Sequence, residues 1–203
     1  MMAHHWHVTS SLSEYLEAIR SCRLCEADME RPPNPILQAS DSARILVAGQ
    51  APGNLADRSG RPFTDPSGVR LREWMGVSED EFYDHQRIAI VPMGFCFPGY
   101  DSKGGDRPPM KVCARTWHLG LLARLPRLEL ILAVGGYSQS WHLNLPGSAR
   151  LTEVVQNWRH HLENSNTIPT PHPSWRNNAW LKKNSWFEEE LLPVLREKVR
   201  SLL

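Results

Sequence analysis

A chain of 203 residues suits one domain around a single sizeable core, and its 41% hydrophobic and 22% charged content is ordinary for a globular protein. Net charge is +1, from 23 basic and 22 acidic residues, so bulk charge announces neither a nucleic-acid binder nor an acidic partner, although a balanced sum can hide a basic face. No apolar run is long enough to span a bilayer, which excludes a helical membrane protein.

The start, Met1-Met2-Ala3-His4-His5-Trp6-His7, lacks the basic and then apolar order of a secretory signal. A cytoplasmic monomer is expected, nucleoid-associated if bacterial, with residues 1–10 flexible. Ser11 followed by Glu14 has the spacing of a capping box and predicts a helix to about Arg20. The Pro-rich stretch from Arg31 to Pro35 ends that region. Arg44 to Ala48 reads as a buried strand running into Gly49. A helix is expected from Ser67 to Met75, stopped by Gly76. Arg87 to Val91 is a second buried strand, and a Gly/Pro-rich loop fills 92–109. A helix from Met110 to Leu125 and a strand from Leu128 to Val134 follow. Helices from Tyr137 to Leu143 and Leu151 to His160 lead to a short strand, Asn166 to Ile168. The last helix is expected at Ser185, with Glu188 completing a second capping box.

Strand and helix alternate, so the expected fold is α/β: one domain over 1–203, a central, mostly parallel four-stranded sheet, and helices on both faces. Ligands in such sheets bind beyond the carboxyl ends of the strands. The loops 49–53, 92–99 and 170–174 are therefore expected to meet.

Gly49-Gln50-Ala51-Pro52-Gly53 leaves a strand with glycines that allow close backbone approach to a ligand, though strand-exit turns of this composition are common. In Thr170-Pro171-His172-Pro173-Ser174 two prolines hold His172 in an extended loop, ready to donate a directed hydrogen bond. Gly60 to Gly68 carries Phe63, suited to stacking on a base, and Asp65, which is either a helix N-cap or a group that orients water. Cys22-x-x-Cys25 has the spacing of half a metal site that Cys96 and Cys113 can complete, the alternative being two core cysteines plus an incidental pair; soft thiolates suit zinc or an iron–sulfur cluster, and spacing alone does not choose. Arg58, Arg61, Lys103, Arg107, Arg176, Lys182 and Lys183 flank these loops and suggest phosphate contacts, with Trp175 and Trp180 interleaved as wedges or core residues.

Taken in order, Gly-Gln-Ala-Pro-Gly, Gly-Arg-Pro-Phe, a cysteine-bearing loop and His-Pro-Ser, the chain resembles the uracil-DNA glycosylase superfamily from about Cys22 onward. The pattern is most similar to the thermophile-type, iron–sulfur branch, with Asp57, Gly60 to Phe63 and the four cysteines in matching places. His172-Pro173-Ser174-Trp175-Arg176-Asn177 also resembles the single-strand-selective branch. The resemblance implies a base-excision repair enzyme that flips uracil, or another deaminated base, out of DNA and hydrolyses its N-glycosidic bond.

It further implies His172 as donor to the base, Phe63 as stacking platform, and Gly49, Gln50, Ala51 and Gly94 around the base. Pro52, Gly53, Ser174, Arg176, Asn177 and Lys182 would hold the DNA backbone. Cys22, Cys25, Cys96 and Cys113 would hold a four-iron, four-sulfur cluster, with structural zinc as the alternative. Two departures stand out. The iron–sulfur branch has Glu where Gln50 stands, and the commonest branch has Asp where Ala51 stands. Asp65-Pro66-Ser67-Gly68 resembles a stretch that supplies the carboxylate in another branch, so Asp65 is nominated, with Gln50 as the other water-directing group. The branch's uracil-reading Asn is Pro92 here, which points to a broader base range. A non-catalytic binder of damaged or single-stranded DNA remains the alternative. A nucleoside hydrolase is weaker, and no Gly-x-Ser-x-Gly elbow supports an esterase.

Overall fold

The computed structural model describes residues 10–146 and 148–203, so the expectation for the first nine residues lies outside the described residues. Four strands form one sheet: β1 (Ile45–Ala48), β2 (Ile88–Ile90), β3 (Leu130–Val134) and β4 (Thr167–Thr170). Their order is β2-β1-β3-β4 and every pairing is parallel, so the sheet is wholly rather than mostly parallel.

β1, β2 and β3 are apolar throughout because both faces are covered, whereas the edge strand β4 carries two buried threonines, Thr167 and Thr170. On one face Ile45, Val47, Ile90, Leu132 and Ile168 pack against Leu71, Trp74, Phe187 and Leu195. These come from α3 (Pro66–Met75), a π turn (Phe187–Leu191) and α10 (Leu192–Leu202). On the other face Leu46, Ala48, Ala89 and Val91 pack against Ile19, Trp117 and Leu121, from α1 (Leu12–Arg20) and α5 (Lys111–Leu122). The alternation along each strand thus divides one sheet between two cores.

Ser11 caps α1 with the expected reciprocal bonds to Glu14. β4 runs two residues past its expected end despite Pro169. It is an edge strand, where a missing N–H is tolerated. The helix expected over 151–160 is two, α7 (Leu151–Gln156) and α8 (Trp158–Ser165), with a break at Asn157, a weak helix former. The second capping box does not form. Ser185 accepts through its carbonyl from the N–H groups of Glu188 and Glu189, both at 3.0 Å, and its side chain caps nothing. The π turn follows because Pro193 has no N–H to continue an α ladder and its ring crowds the preceding turn. Three short helices were not anticipated: α2 (Asn54–Ser59), α4 (Glu79–Tyr83) and α9 (Asn178–Lys183). The middle one carried a signal, since Ser78 and Glu81 form a full capping box. One further helix, α6 (Gly136–His142), follows β3 directly. Among the described residues no helix is long and apolar enough to cross a membrane.

Candidate active site

The chain leaves β1 first toward β2 and later toward β3, so the sheet's switch point lies between β1 and β3. Gly49 to Gly53 extends from the end of β1, Gly135 from β3 and Pro171-His172 from β4. A narrow cavity opens there, walled by Gly49, Gln50, Phe63, Pro92 and His172. Beside it a cleft of about 690 Å³, in the range of ligand sites, is lined by Asn54, Arg70, Ser174, Trp175, Arg176 and Asn177. Gln50, Asp65, Asp106 and His172 border both. The three expected loops therefore do meet, the second of them through Pro92.

Phe63 is held in an unusual backbone conformation, with φ 55°. A bulky side chain rarely adopts it without outside support. Here Tyr83 donates its hydroxyl to the carbonyls of Pro62 (2.8 Å) and Phe63 (3.1 Å), and Arg72 donates to Phe63 at 3.4 Å. Gly68 completes the fit, since a Cβ there would overlap the Phe63 carbonyl oxygen. The ring then lies under motif one, where a Cβ on Gly49 would stand 3.0 Å from its Cζ. Gly49 leaves room for a flat ring at the cavity floor.

His172 borders both cavities from the extended loop after β4. Asn177 donates its side-chain amide to the His172 carbonyl at 2.7 Å and fixes the loop. Burial pushes the imidazole pKa down, while nearby Asp65 pulls it back up. A neutral ring donating through one nitrogen is the form this environment favours.

Asp65 is the N-cap of α3: its carboxylate accepts from Ser67 Oγ at 2.8 and 2.9 Å and from the Gly68 N–H at 3.3 Å. Gln50 donates its amide to the Arg107 carbonyl at 3.4 Å. Gly94 does not line the cavity. It sits beneath motif one, donating its N–H to the Gln50 carbonyl at 2.9 Å, with Pro109 packed against it. Pro52, Gly53 and Ala51 form the cavity rim.

Among the basic residues, Arg176 faces the cleft while Lys182 and Lys183 lie exposed on α9, outside its lining. Arg61 stacks over Tyr83 at 3.4 Å and pairs with Glu79, and Arg107 pairs with Glu30. The two tryptophans part company: Trp175 is 73% exposed at the cleft, whereas Trp180 packs on Phe187 and donates to Thr152. Arg70 and Asp106 are cleft residues that the sequence did not single out. Arg70 donates to the Ser174 carbonyl at 3.3 Å and to Asn178 at 2.8 Å. Asp106 hangs from the Gly/Pro-rich loop, where nothing set it apart from Asp101 and the turn residues around it.

The four cysteines are free thiols that line one small cavity with Pro33, Pro35, Phe95 and Trp117. Burial, then the neighbouring thiols, pushes Cys96 and Cys113 up to about 12, partly offset at each by a backbone N–H bond. The Phe95 N–H donates to Cys113 Sγ at 3.4 Å. Among the described residues no group of three or more His, Cys, Asp or Glu side chains is arranged as a ready metal site. The all-thiol, apolar-walled cavity, with the Phe95 N–H on one sulfur, has the soft donor chemistry that an iron–sulfur cluster or zinc takes.

The family model for the uracil DNA glycosylase superfamily matches residues 37–196. A relative, the type-4 uracil-DNA glycosylase of Thermotoga maritima, is 26% identical over 164 residues, 78% of this chain and 79% of that one. A looser likeness, at TM-score 0.45 and 18% identity, is to the solution structure of a candidate uracil DNA glycosylase from Methanosarcina acetivorans, covering 78% of this chain and 92% of that one. The matched residues take in all four strands, motif one and the His172 loop, and the chain belongs to the uracil DNA glycosylase superfamily.

Proposed function

We propose that the protein is a monofunctional DNA repair glycosylase that excises uracil, or another deaminated base, from DNA as a single domain and a monomer. The observation that carries this reading is the narrow cavity with Phe63 on its floor, His172 on its wall and a cleft for the strand beside it. The Thermotoga relative's uracil-DNA glycosylase activity supports it.

The target nucleotide leaves the stack and its base enters the narrow cavity, stacking on Phe63. As the glycosidic bond stretches, negative charge gathers on the base. A neutral His172 donates to the base oxygen and steadies that charge without moving a proton. Positive charge gathers on the sugar at the cavity mouth, where Gln50, Asp65 and Asp106 gather and where water attacks. Pro52, Gly53, Ser174 and Arg176 grip the flanking backbone, and Asn177 keeps the histidine loop in place.

Cys22, Cys25, Cys96 and Cys113 would hold a four-iron, four-sulfur cluster, which would tie the segment after α1 to the loop after β2 and to the start of α5 in a structural role. Incubation with a uracil-containing oligonucleotide, followed by alkaline cleavage of abasic sites, tests the reading. Strand scission at uracil is expected. Intact strands with every deaminated base refute it and favour a non-catalytic binder.

A further inference from the structure

Motif one carries no carboxylate, yet hydrolysis at the sugar calls for an acceptor that takes a proton from water. Two carboxylates reach the narrow cavity, Asp65 and Asp106. They differ in what they already do. The Asp65 oxygens accept from Ser67 Oγ and the Gly68 N–H and so cap α3. The Asp106 carboxylate has neither a hydrogen bond nor an ion pair among the described residues. It borders the cavity and the cleft together, and its Oδ2 lies 3.7 Å from the place a Cβ on Gly53 would occupy. It therefore overhangs the end of motif one.

The loop that carries Asp106 is firmly built. Tyr100 and Asp106 form an antiparallel bridge, and Arg107 donates its N–H to the Gly99 carbonyl at 3.0 Å. The Asp101 carboxylate accepts from the N–H groups of Lys103 and Gly105, each at 2.8 Å. Gln50, the motif-one side chain, donates to the carbonyl of Arg107, the next residue along. The amide thus anchors the neighbour of a carboxylate that approaches from a different loop.

We propose that Asp106 is the catalytic carboxylate that activates water in this enzyme, with Gln50 positioning its loop; the inference rests on the glycosylase reading above. The C1′–N1 bond breaks with its electron pair on N1, leaving a uracil anion at His172. The water oxygen bonds to C1′. One water proton passes to the Asp106 carboxylate and then to solvent, and the uracil anion takes a proton from solvent. Partial burial and the carboxylates of Asp65 and Asp101 push the Asp106 pKa up, opposed by Arg176. That direction suits a group that must accept a proton.

The test compares single-turnover excision and DNA affinity in the wild type, Asp106→Asn and Asp65→Asn. Asparagine caps a helix as well as aspartate, so the second variant removes charge while keeping the cap. Asp106→Asn should slow excision about 100-fold or more, with affinity for uracil-containing DNA within about threefold, and Asp65→Asn should slow it less than about tenfold. Asp106→Ala with added formate supplies a second readout, since a small carboxylate restoring the rate reports chemistry rather than folding. An active Asp106→Asn, weakened affinity at an unchanged rate, or slow variants with lowered Tm and no formate rescue would each overturn the proposal. A wild type that leaves uracil in place overturns the glycosylase reading itself, and this inference with it.

Discussion

One loop, from Pro92 to Met110, serves two cavities of opposite character. At Pro92 it borders the narrow cavity, and at Asp106 both that cavity and the open, polar cleft beside it. At Cys96, and at Cys113 just beyond, it closes the thiol cavity, which is small and apolar-walled. A surface built for chemistry keeps unpaired polar groups; a surface built to hold the chain together shields its groups from water. The difference teaches that the two sites are mechanically joined but chemically separate. Damage at the thiols should appear as lost stability, and damage at the cleft as lost rate.

The largest expected effect is at the cleft. His172→Ala should lower the excision rate about 10²- to 10³-fold, the usual cost of one donor to a developing anion. Its Tm should scarcely move, because the His172 side chain holds no hydrogen bond among the described residues. A large drop in Tm would blur the division. At the other site Cys113→Ala should cost on the order of 3 kcal/mol, about 6–12 °C in Tm for a chain of this length. Any cluster, and the visible absorbance it carries, should be lost as well. The folded fraction should still excise at close to the parent rate; a rate loss that exceeds the unfolded fraction would place the thiols in the chemistry.

Acid should produce a smaller effect that reaches both sites. His118 on α5 donates Nε2 to the Pro92 carbonyl at 3.0 Å and stacks on Phe95 at 5.3 Å, so it props the shared loop from below. Burial lowers His118 to about 4, and burial with His118 nearby lowers His142 to about 4. Both lie below the ordinary 6.5, so between about 6.5 and 4 the unfolded chain binds more protons. The stability they protect is full above pH 6.5 and is lost as pH falls toward 4. Thermal melts across that window should show Tm falling with acid, with a shallower slope for His142→Gln. A flat profile would remove the buried pair from the account.

Much of this was legible in the sequence, for physical reasons. Three short apolar runs bounded by turn residues marked β1, β2 and β3, because a parallel sheet buries both faces, and the short Asn166–Ile168 stretch before Pro169 marked β4. Motif one and the His172 loop were visible because proline and glycine sit at fixed places beside a histidine. Asp65 showed both its possibilities, and its bonds to Ser67 and Gly68 place it as the cap of α3. What escaped depends on distant chain segments. Asp106 gains meaning only when its loop folds over Gly53, and Arg70 only when α3 meets the loop after His172. Phe63 was readable as an aromatic near the site. Its positive φ was not, because Gly68, Tyr83 and Arg72 impose it together. Gly94 was placed at the base and lies one layer beneath it, since being next to a strand end does not say which way a loop turns.

The central claim is that the cavity between Phe63 and His172 breaks a glycosidic bond. Quantifying free base released from a uracil-containing oligonucleotide under single-turnover conditions tests it most directly. The account predicts free uracil in an amount equal to the abasic sites formed, with no release from the matching thymine-containing strand. Tight binding of the oligonucleotide with its uracil still attached would contradict it.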